Sequence, residues 1–126
     1  VAEISDLHHQ EGVRLAPDRL MALFARLGDA EAEQAISRTM EELAAQLLLA
    51  RQAADMAAPD AVAAAAQTLC SLADKIGMVT LARVAQDVGL CAGRGDAAAL
   101  AATLARLTRI GDRSLSAVWD LQDVIE

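Results

Sequence analysis

Aromatic residues are scarce, making up 2% of the 126-residue chain with one tryptophan, one phenylalanine and no tyrosine. A core built on stacked rings is therefore excluded, and aliphatic side chains must fill it. Cys70 and Cys91 are the only cysteines, too few for a disulfide scaffold or a cysteine metal cage, so the chain reads as one for a reducing, cytoplasmic compartment. Basic residues are in deficit, 11 Lys+Arg against 18 Asp+Glu for a formal net charge of -7. That balance opposes the phosphate-tracking electrostatics on which nucleic-acid binding depends. No uncharged apolar run approaches the roughly 18 residues of a membrane span, which argues for a soluble protein with no membrane partner. The chain opens on Val1 without a basic n-region or an apolar h-region, so its start reads as trimmed and shows no export signal. What is abundant is apolar: 55% of residues are hydrophobic, enough for a single domain over residues 1–126 to bury a core without staples.

Two prolines, seven glycines, many Ala, Leu, Glu, Gln and Arg residues and no alternating β-branched runs predict an all-α chain. Pro17 suits a first helical turn, and Leu20, Leu23, Phe24 and Leu27 then recur at spacings of three and four until Gly28. Asp29 is placed to N-cap a second helix over 30–56, striped by Ala32, Ile36, Met40, Leu43, Leu47 and Ala54. Pro59 opens a third over 59–76, with Val62, Ala65, Leu69, Leu72 and Ile76 on its apolar side and Gly77 as its end. Leu81, Val84, Val88 and Cys91 mark a fourth over 79–92, stopped by Gly93-Arg94-Gly95. Asp96 then caps a fifth over 97–124, in which Leu100, Leu104, Leu107, Ser114, Val118, Leu121 and Ile125 keep a seven-residue rhythm and Gly111 marks a bend. Short connections between long amphipathic helices predict antiparallel neighbours, hence an up-down-up-down four-helix bundle with an additional short N-terminal helix across one end. The first dozen residues, His8 and His9 among them, have weak patterning and either extend the first helix or fray.

At about 100° per residue Gln67 lies roughly 160° from Leu69 and so faces solvent. Ser71 and Asp74 share that outward face, with Ala63 and Ala64 one turn earlier and Cys70 at its edge. The patch is small and uncharged at its centre. The plain reading is an exposed strip of an Ala-rich helix. The stretch Ala66-Gln67-Thr68-Leu69-Cys70-Ser71-Leu72-Ala73-Asp74-Lys75-Ile76-Gly77 supports another, because it resembles the signature of histidine-containing phosphotransfer (HPt) domains, Ala-His-x-Leu-Lys-Gly followed by a small residue and a glycine ending the helix. Ala66, Leu69, Ala73 and Ile76-Gly77 stand at the packing positions of that pattern, Leu81-Ala82 onward resembles its next helix, and the likeness extends weakly over Ala16 to Leu121.

The resemblance implies a four-helix bundle and a partner in phosphorelay signalling, a response-regulator receiver domain or a histidine kinase. It also implies degeneracy, since Gln67 stands at the phosphoacceptor histidine position, Cys70 at the lysine position and Ser71 at the glycine position. An imidazole lone pair attacks phosphorus and leaves readily, whereas a carboxamide nitrogen is delocalised into its carbonyl, so Gln67 is no acceptor. Cys70 supplies no cation for phosphoryl charge at neutral pH. Ser71 is nearly as small as glycine and leaves room for a docking domain.

Other residues read more plainly. His8 and His9 point about 100° apart on a helix and cannot form an i,i+4 metal pair. Cys70 has no His or Arg at i±3 or i±4 to lower its pKa, and Cys91 falls on an apolar stripe as a small core residue. Trp119 suits a bundle-end anchor or an oligomer contact. Gly93-Arg94-Gly95-Asp96 lacks the Lys-Ser/Thr and preceding strand of a phosphate loop and reads as a turn and cap. No Ser-His-Asp set, carboxylate–histidine pair or dinucleotide loop can be placed, so neither catalysis nor a metal or cofactor site is expected. The expected function is therefore a phosphorelay adaptor that does not itself carry phosphate, with a structural or oligomerisation bundle as the alternative. The partner-binding residues are Ala63, Ala64, Gln67, Cys70, Ser71 and Asp74.

Overall fold

The computed structural model describes residues 12–125. It is all-α, with helices α1 (Pro17–Leu27), α2 (Asp29–Asp55), α3 (Pro59–Lys75), α4 (Val79–Arg94) and α5 (Ala97–Ile125). Among the described residues there is no strand, only an isolated antiparallel bridge between Leu15 and Met78. The helix ends expected from sequence lie within two residues of those observed, as fraying termini allow.

Periodicity placed the core well. Leu43, Leu47, Leu69, Leu72, Ile76, Leu81, Val84, Leu104 and Leu107 are all buried in one cluster to which every helix contributes. Along the chain α3 packs extensively on both α2 and α4, and α4 on α5, while α2 and α5 touch more sparsely. Ile110 and Met78, which no stripe had claimed, are also fully buried.

Several local expectations change. Gly28, not Asp29, is the N-cap of α2: its carbonyl accepts the Ala32 amide at 2.9 Å, and no side chain caps the helix. Asp29 instead occupies the first turn, where its charge favours the positive helix end. Asp96 does cap α5, accepting the Ala99 amide on Oδ1 at 3.0 Å. Helix α5 stays helical across Gly111, the residue expected to mark its bend. There a Cβ would come within 2.7 Å of Leu47 Cδ1, so this glycine serves the close approach of α5 to α2. Residues 13–16, which precede α1, lie along the turn between α3 and α4, while nearly all of the first dozen residues lie outside the described ones. The Ala16 amide donates to the Gly77 carbonyl at 2.7 Å, and the Arg14 carbonyl accepts the Val79 amide at 3.1 Å. The Thr80 hydroxyl accepts the Arg14 amide at 2.7 Å. An extended segment thus satisfies the free amides that open α4. His8 and His9 lie outside the described residues.

Helices α2 and α3 end in the same way with different residues. In each, the amide two residues past the cap reaches back five residues, Ala58 to Ala53 at 2.9 Å and Met78 to Ala73 at 2.8 Å. The residue between is left-handed, Ala57 at φ 52° and Gly77 at φ 76°, the pattern of a Schellman closure. Ala57→Gly is expected to stabilise the protein by about 0.5–1 kcal/mol, because relief of the left-handed penalty exceeds the added unfolded-state entropy. Gly77→Ala should do the reverse by more than about 2 kcal/mol, since its Cβ would also strike the Ala16 carbonyl. Paired thermal melts check both, and a shift of the same sign for the two variants would contradict the assignment.

Candidate functional site

Helix α3 is positioned by what it buries. Val62, Ala65, Ala66, Leu69, Leu72 and Ala73 face inward, and Ala66 meets Gly89 of α4 so closely that a Cβ on the glycine would lie 3.7 Å from the alanine Cβ. With small residues on both sides α3 and α4 pack extensively, and the outward side of α3 forms a surface beside that contact. Gln67, Ser71 and Asp74 are exposed on that surface with Ala64, while Ala63 and Cys70 are half-buried at its edge. All six residues expected from sequence therefore lie on one side of α3. Thr68, also exposed, turns its hydroxyl to the Ala64 carbonyl at 3.2 Å and so spends its donor within the helix.

The edge continues onto α4, which sequence reasoning left out. Gln86, exposed on α4, lies beside Cys70. Leu90, the residue after Gly89, keeps 57% of its surface exposed. The periodicity of α4 signals only that both are exposed, since Leu81, Val84 and Val88 leave Gln86 and Leu90 off the apolar stripe. The Cys70 thiol is pushed above its ordinary pKa of 9.0, first by burial and then by the Asp74 carboxylate, against which the neighbouring Gln86 acts weakly. Cys70 is thus neutral near pH 7 and neither a cation nor a thiolate nucleophile. No residue of α3 within one turn of Gln67 is cationic. The face can offer amide, hydroxyl and methyl groups, and at Asp74 a carboxylate, to another surface, but no imidazole.

Other candidates resolve as follows. Gly95 is left-handed at φ 70° and ends α4, which makes Gly93-Arg94-Gly95-Asp96 a turn and cap. Cys91 is half-buried and borders a cleft rather than sitting inside the core. Trp119 is 54% exposed. Among the described residues no group of three His, Cys, Asp or Glu side chains is arranged to hold a metal, and no helix is long and apolar enough to cross a membrane.

No family model matches the chain, and neither a curated protein nor a solved structure is significantly similar to it.

The two sides of α3 differ by a measurable amount. Leu69 is fully buried, so Leu69→Ala should cost about 2–5 kcal/mol as a core cavity. Gln67→Ala, on the exposed side, should stay within about 0.5 kcal/mol of the parent. Denaturant unfolding checks the pair, and equal shifts would refute the orientation of α3.

Proposed function

We propose that the chain is a signalling adaptor of the histidine-phosphotransfer type that binds a receiver or histidine kinase domain without carrying phosphate. In this reading α2 to α5 form an up-down-up-down four-helix bundle, α1 is an additional N-terminal helix, and the outward face of α3 is the docking surface. One observation carries the reading. The residues at the packing positions of the phosphotransfer pattern, Ala66, Leu69, Ala73 and Ile76, are buried, while Gln67 and Ser71 stand exposed directly above them. At its centre Ala63, Ala64, Gln67 and Ser71 are small and uncharged in a molecule of charge -7, so that part desolvates at little cost and lets another helix approach closely, as the centre of a transient interface requires. The chain is then a pseudo-phosphotransferase and not an enzyme, because the acceptor position holds an amide and the cation position a neutral thiol.

A structural or oligomerisation role is the second reading. It draws on the outer face of α2, where Leu48, Leu49 and Met56 are exposed within about two turns.

A screen of receiver domains for direct binding distinguishes the two, with a bound receiver expected. Ser71→Arg should abolish that binding while changing stability by no more than about 0.5 kcal/mol, because the substitution is exposed. Unchanged affinity would remove the interface from α3. The protein should also acquire no acid-labile phosphate from a phosphorylated receiver. Gln67→His alone should not restore transfer, whereas Gln67→His with Cys70→Lys and Ser71→Gly is the fair reconstruction.

A further inference from the structure

Helices α2 and α5 are pinned together where Leu47 meets Gly111. Beyond that point, toward the end of α2 and the start of α5, they leave between them an open cleft of about 760 Å3. The cleft reaches inward to Val62 of α3 and Ala92 of α4, both core residues. Alanine creates the space: Ala54 on one wall and Ala101 and Ala105 on the other stop short of each other where leucines would interlock. The size falls within the roughly 300–1,000 Å3 range of small-molecule sites, and a gap between bundle helices is where such sites recur.

We infer that the α2–α5 cleft binds an uncharged hydrophobic small molecule. This does not rest on the adaptor reading, which concerns the outward face of α3. Concavity argues for a small occupant over a second protein surface. The charge pattern selects among small molecules. Arg51 and Asp55, one turn apart on α2, give the cleft one side chain of each sign, so its lining side chains offer an ionised ligand no net counter-charge for its lost hydration. Of the remaining polar groups, the Thr108 hydroxyl is already donated to the Leu104 carbonyl at 3.1 Å and can only accept, and the half-buried Cys91 thiol is a weak donor. The side chains of the walls thus reward an apolar body with few hydrogen-bonding groups.

Two dyes that differ by a sulfonate supply the test on the full chain: neutral N-phenyl-1-naphthylamine and anionic 8-anilinonaphthalene-1-sulfonate. The neutral dye should bind saturably at one equivalent and about tenfold or more tighter than the sulfonate, the penalty for bringing an unpaired charge to the site. Ala101→Leu, which fills the cleft, should weaken it by at least about tenfold. Should that variant fail to fold by circular dichroism, Cys91 reports instead. In a Cys70→Ser background its alkylation by N-ethylmaleimide should slow several-fold when the neutral dye is present. Absence of saturable binding, preference for the sulfonate, unchanged affinity in folded Ala101→Leu, or an alkylation rate indifferent to dye would each overturn the inference.

Discussion

The arrangement of this molecule depends on one close backbone approach, that of the segment before α1 to the turn between α3 and α4. Gly77 makes it possible twice over. Its positive φ closes the end of α3, and its missing side chain leaves room for the Ala16 carbonyl. With the chain held there, the Arg14 carbonyl and the Thr80 hydroxyl complete the hydrogen bonding at the start of α4. The Arg19 guanidinium, on α1, reaches the Asp74 carbonyl at 3.3 Å. One turn thereby sets the directions of α1, α3 and α4 together, and with them which side of α3 meets solvent.

How much of this the sequence discloses follows from the range of the forces involved. Helix positions and core leucines were legible because a 3–4 repeat and its glycine or proline punctuation are local signals. Leu69 buried and Gln67 exposed come from the same arithmetic. Contacts between segments distant in sequence were not legible. Nothing near Arg14 announces that it will pair with Thr80, and nothing near Gly111 that Leu47 will occupy the space it leaves. The end of α2 was legible ahead of Pro59, expected at residue 56 and observed at Asp55, but the form of its closure was not. Its left-handed residue is Ala57, so the glycine that ordinarily signals such a closure is missing. Gln86 and Leu90 joined the candidate face only when the register of α3 against α4 was known, a register carried by Ala66 against Gly89.

Alanine governs both regions of interest, with opposite results. Between α3 and α4, Ala66 faces Gly89 at ordinary contact distance and the two helices pack extensively, with no gap between them. Between α2 and α5 the crossing is fixed at Gly111 and the alanines lie beyond it, so the same small side chains leave a gap. What decides is where the nearest approach falls relative to them. A repeat of apolar letters records that a position faces inward, but not how far away the opposing wall stands.

The α3 face also sets limits on how any partner could gain affinity there. At about 25 cal/mol per Å2 of apolar surface removed from water, alanine methyl groups and a serine contribute little each. Their value lies in admitting a close approach, and a close approach binds only if larger groups are buried at its margin. On the partner's side those groups would be its own. On this chain the large apolar side chain next to Gly89 is Leu90, more than half exposed on α4. Under the adaptor reading, a domain that rested on Gln67 and Ser71 alone would bury too little apolar area to offset the loss of translational and rotational freedom. In that reading the footprint would extend past α3 onto the exposed Gln86 and Leu90 of α4.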